Sequence, residues 1–397
     1  MSILIRPPGD TFTYKLFFKL SGKIKKPKSC LYMWSHVFDP TYQGWRSPRP
    51  NDDWNQETEF KYRQLVLDDI KQDIVVIGLK DHLTAGNFNP WVEKQANLMT
   101  YFGDLFDYYS NKQFVLLTSL ENLDTYLTNK NLHIVPWGGD ITNQQQEYRA
   151  IDPILEKNLD STVNFLSLNR GKRSHRAMSV CMQYGLGLQD HGLISCIFQD
   201  ELENLFGYTN WQFTPEQQSI KQLLDNGFDL LKNAKLLIND DNQIYPDTDP
   251  NNNVYNFTKK LSAYYQNTFV EIISETSYTE AAFNLTEKTL NSIYGCSFPI
   301  LLSSKGAVGF LRDMGLDMFD DIVDHSYDTI ENPIDRMYRA LVDNQELLTN
   351  NQMIKQLWLD NQHRFIKNVD FVKNNMYNFY ADRAEQKMTA ISNLLNE

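Results

Sequence analysis

The chain runs to 397 residues with 50 acidic and 38 basic side chains, a formal charge of −12. That excess of acid argues against a surface that is a nucleic-acid footprint throughout, although a local basic stripe can still meet phosphate. The length exceeds what one core ordinarily fills, and 42% hydrophobic residues argue against disorder and for two globular domains of roughly 150–200 residues each.

Cys30, Cys181, Cys196 and Cys296 are scattered, with no Cys-x-x-Cys pair and no histidine cluster beside them. Neither a zinc site nor a disulfide framework is indicated, and a reducing cytosol fits. No apolar run approaches the roughly 20 residues of a membrane span, and the opening MSILIRPPGD does not read as a signal peptide. A soluble, cytoplasmic chain with no membrane span is expected.

Residues 1–60 are aromatic- and proline-rich, with Tyr32, Trp34, His36, Asp39, Trp45 and Trp54 among turn signals. Helical spacing over 60–71 leads into an apolar strand over 73–78, followed by Lys80, Asp81 and His82. Helical spacing returns over 91–106. Strands are expected at 113–118 and 132–136, the latter ending in Trp137, Gly138, Gly139 and Asp140. Residues 141–160 are polar and Gln-rich and read as a linker.

A second series opens with a strand over 162–168. The basic turn 169–176 follows it, and then Ala177, Val180, Cys181 and Tyr184 form one helical stripe with Gly185 as its stop. Residues 192–196 read as a short strand. Thr214 and Gln217 have capping-box spacing with Pro215 at the first helical position, so a helix to about 232 is expected. Residues 239–253 are an Asn- and Asp-rich loop. The stretch 268–302 then reads as strand, acidic loop, helix ending at Gly295, and strand, which is a βαβ unit of a parallel sheet. A helix is expected over 306–314, and the chain looks helical from 332 almost to its end. Strands alternating with helices make both halves α/β.

The turn 169–176 brings Asn169, Arg170, Gly171, Lys172, Arg173, Ser174, His175 and Arg176 to a helix amino end. Free N–H groups and arginine forks there suit phosphate oxygens, although the spacing matches neither GxGxxG nor GxxxxGK[ST]. Glu275 and Glu287 suit ribose or sugar hydroxyls, and Lys288 suits a phosphate. Together these groups suit a nucleotide-diphosphate sugar. Each carboxylate taken alone reads equally as a helix amino-end cap. Asp247-Thr248-Asp249 has Asp-x-Asp spacing but sits in the exposed loop, and no histidines pair at metal-binding spacing, so no metal is expected. For deprotonating an acceptor hydroxyl, Asp81, His82 and Asp140 are candidates, with Asp39 beside them. Trp34 and Trp137 are candidate stacking surfaces for an acceptor. Lys23, Lys25 and Lys26 sit in a basic stripe over 15–28 that is either a solvated face or a contact for nucleic-acid phosphates.

Phe165-Leu166-Ser167-Leu168-Asn169-Arg170, Arg173, His175-Arg176 and Gly192-Leu193-Ile194-Ser195 resemble the opening of the donor domain of glycosyltransferases from bacteria and large phages. Ser274-Glu275-Thr276, Thr286-Glu287-Lys288-Thr289, Phe298-Pro299-Ile300, Gly306, Leu311-Arg312, Gly315 and Ser326-Tyr327-Asp328 are similar to the rest of it. These enzymes are akin to the exostosin-like and α-1,3-fucosyltransferase-like families, and the resemblance spans residues 160–345.

The resemblance implies a GT-B architecture of two facing Rossmann-like domains: an acceptor domain over 1–155, a donor domain over 156–345, and helices over 346–397 packing back on the first domain. It implies a metal-independent transfer with no bound cofactor, the nucleotide sugar being a substrate. By the same resemblance Arg170, Arg173 and Lys172 hold the diphosphate, while Glu287 and Lys288 hold ribose and phosphate. Glu280 and Glu287 depart from the Glu-x7-Glu pattern of many retaining enzymes, which leaves inversion slightly favoured. The acceptor is a glycan or a hydroxylated base in phage DNA, placing the protein in the host cytoplasm in the latter case. The competing class is a catalytically silent sugar- or nucleotide-binding protein of the same fold.

Overall fold

A computed structural model describes residues 3–4, 30–34, 74–79, 110–118, 121, 130–136, 138–169, 173–196, 199, 202, 213–234, 257–276, 278 and 285–396. It describes the backbone alone at 3–4, 30–34, 74–79, 139–140, 143 and 395–396. Among these residues, the chain up to Gly139 together with the segment from Asn378 forms one compact unit, and Asp140–Tyr377 forms the other.

The first unit is built on β1 (Ile3–Leu4), β2 (Cys30–Trp34), β3 (Ile74–Leu79), β4 (Gln113–Thr118) and β5 (Leu132–Pro136). All pair in parallel, in the order β1-β2-β3-β4-β5. The apolar runs explain this. Phe114, Val115, Leu116 and Leu117 are all buried, as a strand covered on both faces requires. Successive strands step one way across this sheet, with no reversal of order among the described strands.

Residues 141–160, expected as a linker, instead begin inside a helix, α1 (Gly139–Tyr148). Ile141, Thr142, Gln145 and Tyr148 are buried at helical spacing, and the Gln145 side chain donates to the Val372 carbonyl. Glutamine is a good helix former, so a Gln-rich stretch with one buried stripe folds as a helix.

The second unit continues with β6 (Phe165–Ser167), α2 (Ser174–Gly185), β7 (Gly192–Ile194), α3 (Gln218–Lys232), α4 (Ser262–Gln266), β8 (Val270–Ser274), α5 (Glu287–Tyr294) and β9 (Phe298–Leu302). After them come α6 (Ala307–Met314), α7 (Pro333–Val342), α8 (Gln345–Thr349), α9 (Asn351–Asp360), α10 (Gln362–Asn374) and α11 (Met376–Asn396). The capping box expected at Thr214 and Gln217 is present ahead of α3. The last residues of α11 belong to the first unit, where Arg383 pairs with the buried Glu121. No helix among the described residues is long and apolar enough to cross a membrane.

The second sheet is parallel with strand order β7-β6-β8-β9. The chain steps from β6 outward to β7, then crosses back over β6 to reach β8. Such a reversal parts the loops leaving the two central strands and opens a crevice at their carboxyl ends. The amino ends are closed. Asn164, ahead of β6, donates to the Leu348 carbonyl at 2.9 Å and accepts from Asn351 at 2.6 Å. Trp358 donates to the Cys296 carbonyl at 2.8 Å, and Phe298, Phe319 and Phe365 pack with centroids 4.6–5.0 Å apart. Arg364 forks onto both Asp317 and Asp321 beside them.

Helix α2 is set by glycine. A Cβ on Gly227 of α3 would lie 1.8 Å from the Cys181 carbonyl oxygen of α2, and one on Gly185 would lie 2.3 Å from the Leu223 carbonyl oxygen. Gly227→Ala is therefore expected to push the two helices apart and cost about 2–3 kcal/mol, read as a lower urea midpoint with an unchanged slope.

β8 carries one carboxylate inside the core. Glu271 accepts from the Tyr265 hydroxyl at 2.8 Å. Nearby, the Lys157 amine donates to the carbonyls of Tyr265 and Thr268 at 3.0 and 2.5 Å. Burial pushes the Glu271 carboxyl up to about 8, against the hydrogen bonds of Tyr265 and Ser292 and the charge of Lys157. Burial likewise brings the Lys157 amine down to about 7. The folded protein thus keeps the Glu271 proton to about pH 8, whereas the unfolded chain releases it near ~4.3. Its contribution to stability is fully present in acid and declines as pH rises through that window; the opposite slope of Lys157 lies above about pH 7. Glu271→Gln cannot ionise, so its stability relative to wild type should rise by about 2–3 kcal/mol between roughly pH 5 and 7. A difference in urea unfolding energy that stays constant over that range overturns this account.

Candidate functional site

Three helices begin at the carboxyl edge of the second sheet: α2 after β6, α5 after β8 and α6 after β9. Each amino end exposes unpaired N–H groups and a partial positive charge that an anion or a capping oxygen satisfies. Two are satisfied from within. The Glu275 carboxylate accepts from the Thr286 amide at 3.1 Å and from the Thr286 and Thr289 hydroxyls at 2.7 Å each, closing α5. The Asp328 carboxylate accepts from the amides of Val308 and Gly309 at 3.2 and 2.9 Å, closing α6. Helix α2 differs: Arg173 stands at its cap position and makes no capping hydrogen bond, and among the described residues no side chain accepts from the first amides of the helix.

Basic groups crowd that end. Arg173 Nη1 donates to the Thr276 carbonyl at 2.9 Å. His175 Nε2 meets the Glu275 carbonyl at 3.0 Å, and Arg176 Nη2 reaches the Ser274 and Glu275 carbonyls at 3.3 and 3.5 Å. Arg176 is 4% exposed, yet its Nε has no hydrogen-bond partner. Cations in the first turn oppose the helix dipole. Burial, and then the charge of Arg173, push the Arg176 guanidinium down to about 10.

The His175 ring stacks on Tyr278 at 5.5 Å with planes 17° apart. Tyr278 is itself held by Arg336, which lies 4.9 Å from its ring and donates to its carbonyl at 2.5 Å, and its hydroxyl donates to the Pro333 carbonyl at 2.8 Å. Behind the turn lies a buried polar network. The Asn169 amide donates to Ser195 Oγ at 2.8 Å, and Ser167 Oγ accepts from Asn169 Nδ2 at 3.0 Å and Gln183 Nε2 at 3.1 Å. Asn169 Oδ1 and Ser274 Oγ, buried at the ends of β6 and β8, have no partner.

Across the crevice, the half-buried Glu287 pairs with Lys288 at 2.9 Å, and Lys288 also donates to Thr286 Oγ1 at 2.9 Å. Burial works to raise the Glu287 carboxyl, but the charge and hydrogen bond of Lys288, with Arg176 beyond, hold it below the ordinary carboxylate range. The first turns of α2 and α5 therefore act on each other, one surplus in positive charge and the other nearly neutral.

Of the residues expected to hold a donor, Arg173, Glu287 and Lys288 meet at this edge. Two differ from expectation. Both carboxylate oxygens of Glu275, which is fully buried, are taken up by α5, so it is an internal cap and receives no ligand hydroxyl. Asn169 is equally buried and braces the turn from behind. Arg170 and Lys172 lie outside the described residues, as do Asp81, His82, Trp137, Lys23, Lys25 and Lys26; for Trp34 and Asp140 only the backbone is described, in β2 and α1. His175 and Arg176 were visible in the basic turn but absent from the expected donor set. Their place in the first turn of a helix leaving a strand was the available signal. Among the described residues, no cluster of three or more His, Cys, Asp or Glu side chains is arranged to hold a metal ion. Comparison with protein-family models, curated proteins and solved structures finds no match.

Glu275→Ala leaves the Thr286 amide and two buried hydroxyls at the start of α5 without their acceptor, while Thr286 Oγ1 still accepts from the Lys288 amide. Charge-assisted bonds of this kind are worth about 1.5–3 kcal/mol apiece in net terms. The expected result is a loss of at least ~3 kcal/mol in chemical unfolding, against less than ~1 kcal/mol for Lys288→Ala at the half-exposed ion pair. Equal small losses for both variants contradict the capping role.

Proposed function

We infer that this protein transfers a sugar from a nucleotide-diphosphate sugar to an acceptor hydroxyl, taking the donor diphosphate at the amino end of α2. The observation that carries this reading is the contrast between the three helix ends. Those of α5 and α6 receive the carboxylates of Glu275 and Asp328, whereas among the described residues no side chain accepts from the first amides of α2, which gathers Arg173, His175 and Arg176 at the strand-order reversal. A helix end combined with arginines is chemistry suited to phosphate oxygens. Glu287, ionised and paired with Lys288 across the crevice, is suited to accept ribose hydroxyls.

In this reading the architecture is GT-B, with the β7-β6-β8-β9 unit as the donor domain and the other unit as the acceptor domain. The chain from Asn378 lies in the first unit, which supports it, whereas 346–377, expected to pack there too, lies in the second; the unreversed strand order of the first sheet departs from a doubly wound acceptor domain. Asp81, His82 and Asp140 are the candidate bases for the acceptor hydroxyl, and Trp34 and Trp137 its candidate stacking surfaces. A glycan and a hydroxylated base in phage DNA are the two acceptor classes. Lys23, Lys25 and Lys26 serve the second.

Incubation with a panel of nucleotide sugars, with and without acceptor, is expected to release nucleoside diphosphate in an acceptor-dependent way. Arg173→Ala should weaken nucleoside diphosphate binding by about 10–100-fold, the worth of one charge-assisted bond, and Glu287→Ala should weaken it through the ribose. Wild-type affinity in both variants removes the assignment, and binding without turnover leaves a silent binding protein. For the DNA acceptor, replacing Lys23, Lys25 and Lys26 with Glu should flatten the dependence of log K on log salt by about three phosphate contacts.

A further inference from the structure

The geometry fixes the tautomer of His175. Its Nε2 faces the Glu275 carbonyl at 3.0 Å, and a carbonyl oxygen only accepts, so Nε2 carries the proton. Burial first, and then the charges of Arg176, Arg173 and Lys288, hold the imidazole well below its ordinary range, against the bond to Glu275. The resting ring is therefore neutral and Nδ1 carries a bare lone pair; no donor among the described residues reaches it. The ring sits in the first turn of α2, where the strongest charge acting on it is that of Arg176, whose buried Nε is unpartnered among the described residues.

We propose that the crevice at the amino end of α2 takes up its anionic ligand together with one proton, which settles on His175 Nδ1 and is then donated to the ligand's oxygen. The physical reason is the charge balance around the ring. Arg176 and Arg173 act on it from α2 and Lys288, itself paired with Glu287, from α5, while Arg336 packs on Tyr278, the ring's stacking partner. The Glu275 carboxylate is turned away into the cap of α5. An empty crevice is thus a poor place for an imidazolium. A phosphate seated against the arginines reverses the local field, and the protonated ring then offers a charge-assisted N–H in place of a lone pair that would repel an anionic oxygen. Nε2 keeps its bond to Glu275 throughout, so the ring need not turn.

This inference rests on the transferase reading and gives it a directional consequence. In such a transfer the sugar–phosphate C–O bond breaks with its electron pair left on the diphosphate, the bond from sugar to acceptor oxygen forms, and the acceptor hydroxyl proton is released. The departing nucleoside diphosphate carries one more negative charge than the donor's diphosphate did. Proton uptake at His175 therefore favours the product-side charge and places this residue at the leaving group.

Sulfate is a suitable probe because it stays a dianion across the neutral range and cannot itself take the proton. Wild type and His175→Gln, which preserves a donor to the Glu275 carbonyl, are titrated with sulfate by calorimetry at about pH 6 and about pH 8 in buffers of differing ionisation enthalpy. A parallel arm uses the nucleoside diphosphates of the common bases. The expected wild-type result is binding about tenfold tighter at the lower pH, with uptake approaching one proton per anion. His175→Gln should bind with neither the pH dependence nor the proton uptake. Anion binding in wild type without proton uptake, or uptake that persists in His175→Gln, overturns the role of His175 and leaves the donor-site reading standing. Absence of binding for sulfate and for every nucleoside diphosphate overturns both.

Discussion

Glu275 is the residue on which the second unit turns. Its amide donates to the Leu302 carbonyl at 3.0 Å, joining the ends of β8 and β9. Its carbonyl receives His175 and Arg176 from α2, and its carboxylate receives three donors from the start of α5. A buried carboxylate is tolerated only when its oxygens are hydrogen-bonded, and here that requirement decides where α5 begins. Four elements are brought into register by one residue at the carboxyl end of a central strand.

The same arrangement creates an electrostatic imbalance. By spending its negative charge on α5, Glu275 offers α2 only a carbonyl dipole, and the basic residues of α2 gather on the carbonyls of Ser274, Glu275 and Thr276 instead of on a carboxylate. Arg176 keeps an unpartnered Nε in the interior and His175 stays neutral. Unpaired buried donors cost stability, so the fold maintains an unfavourable local state at the start of α2. Sites that bind charge are commonly held in such a state before the ligand arrives. The amino edge is closed by aromatic packing and the Arg364 fork.

Much of the fold was legible because its signals are local. The runs at 113–118, 132–136 and 298–302 are continuous and apolar, as strands covered on both faces must be, and they are flanked by turn residues. Thr214 with Pro215, and Gly295 after Tyr294, mark helix ends through bonds that span only a few residues. The stretch 141–160 was less legible, since its composition is that of a linker and the buried stripe of Ile141, Thr142, Gln145 and Tyr148 is half polar. Of the site, Arg173, Glu287 and Lys288 could be named from their positions after strands. The direction in which Glu275 points could not, because its partners lie 11 and 14 residues ahead and alternation says nothing where both faces of a strand are covered.

The sequence alone determined that this is an α/β chain with a basic turn at the start of one helix and acidic groups at the start of another, since strand runs, caps and charge clusters depend on near neighbours. Tertiary structure decided which of those groups are spent and which remain. Strand order placed β6 beside β8, so the carbonyls of 274–276 met the side chains of Arg173, His175 and Arg176 across about a hundred residues of chain. Asp328 met the amides of α6, Glu275 met the start of α5, and the amino end of α2 received Arg173, His175 and Arg176, because a helix end meets whichever groups the fold brings to it.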